Sequence, residues 1–182
     1  MTIDPKEAGA LLGDVAGIER STREFLLVTR LGDYLLMAGI IWMIGYAASY
    51  FSAPHIKAMW LTLNLAAIGG TLAISLHNRK KFGLENASAR PALAFAAIIG
   101  FIQFWIWMTH MPGRDQDAFG PMVIALFLIV IGLWAGRALA LLGVALMALT
   151  LAGYFWMGFW FQAWLAGAGG LVLLLASLWA RR

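Results

Sequence analysis

Cysteine is absent from this 182-residue chain. That absence removes disulfides, thiolate metal sites, iron–sulfur clusters and cysteine nucleophiles together. Charge is scarce as well: Asp, Glu, Lys and Arg make up 12% of the residues, against about a quarter in an average soluble domain. No Gly-rich phosphate loop follows a strand pattern, no HExxH zinc motif occurs and no Ser-centred nucleophile elbow is present. A reaction needs an acid, base, metal or nucleophile placed for it. None is placed here, so neither an enzyme nor a cofactor is expected. There is no internal repeat of 20–50 residues and no low-complexity tract.

What is present is apolar. The hydrophobic fraction is 62% and the mean hydropathy is +0.81, the composition of a chain dissolved in lipid rather than one folded around a core in water. Polar zones at His77–Arg90 and His110–Asp117, with weaker breaks at Ser52–Lys57, Arg137 and Gly153–Gly158, divide it into six spans. These run over approximately 34–51, 58–76, 91–108, 119–136, 138–155 and 159–180. Each approaches the roughly 20 residues that a helix needs to cross about 30 Å of hydrocarbon. Backbone polar groups have no partner in lipid, so each span is predicted as a helix. The uncharged run Ala138–Ala180 would measure about 65 Å as one helix, twice the membrane core, and has to fold back near Gly153 and Gly158. The aromatic cluster Tyr154, Phe155, Trp156 and Trp160 marks that turn as interfacial.

Lysine and arginine set the orientation. With the N-terminus inside, Lys6, Arg20, Arg23, Arg30, Arg79, Lys80, Lys81, Arg90, Arg137, Arg181 and Arg182 are cytoplasmic, and only Lys57 and Arg114 are outside. Eleven against two is a strong positive-inside bias. The expected location is therefore a bacterial cytoplasmic membrane with both termini cytoplasmic. The net charge of +4 and pI near 9.8 fit an anionic inner leaflet better than nucleic acid, because the basic residues are scattered at helix ends. The first thirty residues are charged and lack an apolar core followed by a small-residue cleavage site, so no signal peptide is expected. Residues 1–32 read instead as a cytoplasmic amphipathic helix. Asp4, Pro5 and Glu7 form its start, and Leu11, Val15, Ile18, Thr22 and Phe25 form one apolar face. Such a helix lies on the inner leaflet, docks on a partner or sister chain, or folds back over the chain's own cytoplasmic loops.

The fold expected is all-α: a polytopic membrane protein of six transmembrane helices (residues 33–182) behind the amphipathic segment. In size, span number and topology it is similar to the substrate-binding subunits of vitamin importers, a likeness of outline with no motif residue to carry across. Lys81 and Arg90-Pro91 resemble the opening of a lipid-phosphatase motif, but the spacing is wrong and the histidine motifs are missing.

Candidate residues are few. No ionisable residue sits near a span centre; Asp33, at the inner rim, reads as a helix-start carboxylate near arginine. That disfavours a proton- or ion-coupled transporter. Of the three histidines, only His55 and His110 fall at one face. With Asp115 and Asp117 they would be an outer metal site, but solvated loop residues are the better reading and no metal is expected. Among the polar residues within spans, Asn64 and Gln103 lie deepest and are expected to face protein. Together with the deeper tryptophans Trp42 and Trp164 they are the candidate lining of a pocket, while the other tryptophans form an interfacial belt. Small residues at four-residue spacing in the second and sixth spans, Gly69, Gly70, Gly167 and Gly170 among them, are expected at close helix contacts. Two functions follow. The first is association without catalysis, as an accessory, assembly or signalling subunit with a protein partner or as a homo-oligomer. The second is a carrier or binding subunit for a small apolar or aromatic molecule.

Overall fold

The computed structural model describes residues 31–51, 55–82 and 90–181. The expected amphipathic helix of residues 1–32 falls almost wholly outside this set. The described residues are helical, with no strand among them. Six helices follow one another: α1 (Leu31–Tyr50), α2 (Ile56–Phe82), α3 (Arg90–Thr109), α4 (Gly113–Ala135), α5 (Arg137–Trp156) and α6 (Gly158–Ala180). Five of them are long and apolar enough to cross a membrane, which makes the chain a multi-pass membrane protein in architecture. The exception is α3, whose apolar part is Leu93–Thr109.

Two boundaries differ from the sequence reading. The second helix runs on through His77 to Phe82, since no proline or glycine stops it before Gly83. The fourth begins at Gly113 rather than Phe119, so Asp115 and Asp117 are helical and not in a wet loop. Pro112, extended at ψ 148°, starts the helix, and Asp115 in its first turn suits the positive end of the helix dipole.

Helix α1 is the hub. Gly32, Leu35, Gly39, Trp42, Tyr46 and Ser49 recur at three- and four-residue spacing and are all buried. Towards α6, Ser177 Oγ donates to the Gly32 carbonyl at 2.8 Å, and Arg181 pairs with Asp33 at 2.6 Å. Towards α2, the Trp60 ring covers Gly45, where a Cβ would lie 2.6 Å from it. Gly70 faces Met37 and Gly170 faces Met43, but Gly69 and Gly167 have nothing within 4 Å. Adjacent residues of a helix point about 100° apart, so of two neighbouring small residues only one meets a given partner.

Helices α4 and α5 pack closely against each other. A Cβ on Gly143 would lie 2.7 Å from the Ala125 carbonyl oxygen, and one on Gly132 would strike the Ala140 backbone. Gly136 joins the two helices at φ 143°, a conformation open to glycine alone. At the other end of α5 the chain reverses through Met157 and Gly158, the latter at φ 50°. These contacts place Asp33, Arg137 and Arg181 at one end of the α1, α4, α5 and α6 packing and Arg114, Asp115 and Asp117 at the other.

Candidate functional site

A cluster of polar groups lies at the Asp117 end of the bundle, and a proline begins the arrangement. Pro121 lies inside α4 and is fully buried. It has no N–H to offer the carbonyl four residues back, so the Asp117 carbonyl is left over. The Tyr46 hydroxyl of α1 donates to it at 2.9 Å. The Asp117 side chain turns the same way, and its Oδ2 accepts from Gln162 Nε2 of α6 at 2.6 Å. One residue of α4 thereby ties three helices together.

Around it, Tyr46 stands edge-on to Trp60 with centroids 5.1 Å apart, and tilted to Trp42 at 5.6 Å. Trp60 Nε1 donates to Ser49 Oγ at 3.0 Å, and Ser49 donates in turn to the Gly45 carbonyl at 2.8 Å. Nearer the rim, Tyr154 donates to Asp115 Oδ1 at 2.6 Å. Arg114 donates to the Tyr154 carbonyl and lies 5.0 Å from the Tyr154 ring centroid. That carbonyl is among the last four of α5, which have no partner within the helix, so the guanidinium caps it.

One buried group near Tyr46 is left without a partner. Trp42 is 6% exposed, and its Nε1 is buried without an acceptor. The indole lies over Gly169, whose added Cβ would be 3.1 Å from Nε1. Gly169 ends a π-helical turn, Leu165–Gly169, within α6. Such widened turns are uncommon and occur often at functional positions.

The four residues expected to share a pocket are dispersed. Trp42 is buried on α1, Asn64 is half-buried on α2, and Trp164 of α6 donates its Nε1 to the Leu149 carbonyl at 3.0 Å while covering Gly153. Gln103 is exposed, at the edge of the α3 face that carries the buried Ile99 and Ile102. No hydrogen bond or ring contact joins any two of the four. Gln103 is expected to face protein but is exposed within the single chain, while its neighbours Ile99 and Ile102 take the buried positions. A recess of about 40 Å³ lies instead at the Arg181 end, lined by Leu31, Leu35, Leu139, Leu142 and Trp179 among others. It is apolar and large enough for a few methyl groups.

His55 and His110 are both exposed, His110 at φ 49°. Among the described residues no three of His, Asp and Glu are grouped to hold a metal ion. The Asp117 cluster therefore supplies anchored acceptors and donors, which suit holding helices or a polar ligand. The sequence reading missed Tyr46, Ser49 and Pro121 as members. The one available signal was Pro121 four residues after Asp117, which frees a carbonyl without naming its donor. No protein-family model, curated protein or solved structure matches the chain.

Proposed function

We propose that this chain is a six-span protein of a bacterial cytoplasmic membrane, with both termini cytoplasmic, and that it acts by association with another membrane-embedded protein chain. The observation that carries this reading is Gln103. It is exposed, makes no hydrogen bond in the chain, and lies six residues from the end of an otherwise apolar helix. That depth is about 9 Å inside the helix end, within hydrocarbon. An amide left bare in an apolar medium costs on the order of 1–7 kcal/mol, depending on the reference, and a protein partner removes that cost. The six-span, termini-inside arrangement is supported by the charge bias, by five helices long and apolar enough to cross, and by the apolar Leu93–Thr109 of α3.

The test is a photo-reactive benzophenone side chain at position 107, where Trp107 is 72% exposed on the same helix. Irradiation of intact membranes should yield a protein adduct. Adducts to lipid alone would overturn the reading.

A second reading, a carrier for a small apolar or aromatic molecule, is favoured by the unsatisfied Trp42 Nε1. A ligand carbonyl reaching it would complete the hydrogen bonding of the core. Mass spectrometry of the detergent-purified protein should then reveal a bound small molecule that Trp42→Phe releases; a clean protein spectrum rejects this alternative.

A further inference from the structure

Resting on the termini-inside arrangement but not on a protein partner, we infer that the recess at the Arg181 end is a site for one anionic phospholipid of the inner leaflet. Its acyl chain lies in the recess and its phosphate among the arginines at the rim. The recess has the lining and direction of such a site. From Leu31, Ala138 and Ala180 it reaches Leu35, Leu142 and Ala176, each four residues deeper on its own helix, or about 6 Å along the membrane normal. No lining residue is charged. A volume of about 40 Å³ admits a run of methylenes and excludes a helix. Trp179, more than half exposed, stands at the rim, the depth at which indole rings meet headgroups.

The recess does not choose the headgroup, because lipid tails are as apolar as the side chains that line it. The rim does. Each of the three segments that line the recess has arginine beside it: Arg30 precedes Leu31, Arg137 precedes Ala138, and Arg181 and Arg182 follow Ala180. Asp33 is the one carboxylate within three residues of any lining residue, and Arg181 already holds it at 2.6 Å. Four arginines and one carboxylate leave three positive charges uncompensated. Arg137 is exposed, and its side chain has no ion pair or hydrogen bond among the described residues. At the first position of α5 its Cα–Cβ bond tilts back toward the helix start, which carries the guanidinium to headgroup depth. Basic residues around a pocket between helices on the cytoplasmic side favour an anionic headgroup, and a guanidinium can take two phosphate oxygens at once. Phosphatidylcholine answers its phosphate with its own ammonium and gains less here. Free phosphate lacks the chain that the recess fixes.

The test titrates the full chain in dodecyl maltoside with dioleoylphosphatidylglycerol or dioleoylphosphatidylcholine and counts bound lipid by native mass spectrometry. One phosphatidylglycerol should stay on each chain under activation that strips phosphatidylcholine. Arg137→Gln should weaken that binding about 5-fold, the worth of one basic residue near an anionic surface. Lys57→Gln, an exposed site at the opposite end, should leave it unchanged. Neither arginine nor lysine is packed in the fold at these positions, so both variants should keep the unfolding midpoint of the lipid-free protein. Ala138→Phe, which fills the recess, should abolish retention, and millimolar inorganic phosphate should not displace the lipid. Equal retention of the two lipids, equal effects of Arg137→Gln and Lys57→Gln, displacement by inorganic phosphate, or retention of neither lipid overturns the inference. A micelle has no sides, so an inverted topology would change the leaflet and not these results. The outcome is likewise independent of what the benzophenone at position 107 captures.

Discussion

At the scale of single residues, the Tyr46–Asp117–Pro121 relation is the most testable feature of the bundle. Tyr46 donates to a carbonyl that is open only because residue 121 has no N–H. Tyr46→Phe should therefore strand that carbonyl and cost about 1–3 kcal/mol, read as an earlier unfolding midpoint in mixed micelles of rising SDS content. In a Pro121→Ala background the helix supplies its own donor to Asp117, and the same Tyr46→Phe change should cost less than about half as much. Equal losses in both backgrounds would break the link between the proline and the tyrosine. The coupling is measured as the difference between the two, which cancels the packing lost with the proline ring. This part of the site was not legible in advance. A tyrosine at 46 and an aspartate at 117 stand 71 residues apart, and nothing local announces that α1 and α4 will touch there. Asp117 also followed a Pro-Gly pair that reads as a break, so it was assigned to water rather than to a helix.

At the scale of helices, glycines divide by what they face. Gly132 and Gly143 face the backbone of the opposing helix, which cannot step aside. Gly70 and Gly170 face Met37 and Met43, whose flexible thioethers can. Gly69 and Gly167 face open space. Alanine scanning should therefore rank in that order: overpacking losses of about 1–3 kcal/mol at 132 and 143, smaller losses at 70 and 170, and neutral or slightly stabilising effects at 69 and 167. SDS-induced unfolding of the six variants measures it, and a loss at Gly69 equal to that at Gly143 would contradict the packing. Helix class and the turn near Gly158 could be read from the sequence because composition and length alone impose them. Neighbours could not, since a small-residue spacing identifies a face and not what lies against it. The tight α4–α5 contact escaped for that reason: Gly132 and Gly143 sit among leucines, isoleucines and valines on two different spans, with no common period between them.

At the scale of the whole molecule, α3 decides the topology. Its apolar part is Leu93–Thr109, about 25 Å of helix at 1.5 Å per residue, short of the roughly 30 Å hydrocarbon core. A short span is accommodated by local bilayer thinning and by flanking side chains that reach the interface, at fractions of a kcal/mol per Å of mismatch. Trp105 and Trp107 are suited to that role at one end and Arg90 at the other. If α3 crosses, Asn86 and Gly113 lie on opposite sides of the membrane; if it does not, they share one side and the count falls to five. In the cysteine-free chain, Gly113→Cys is exposed with nothing near its Cβ position. It should react with a membrane-impermeant maleimide in intact cells. Asn86→Cys should react only after permeabilisation, because it lies in the polar zone that carries Arg79, Lys80, Lys81 and Arg90. Reaction of both in intact cells would mean that α3 does not cross, and reaction of Asn86→Cys alone would invert the protein. Either outcome would place the arginines of the C-terminal end or of the Asn86 zone outside, against the positive-inside preference, so the pattern tests span count and orientation together.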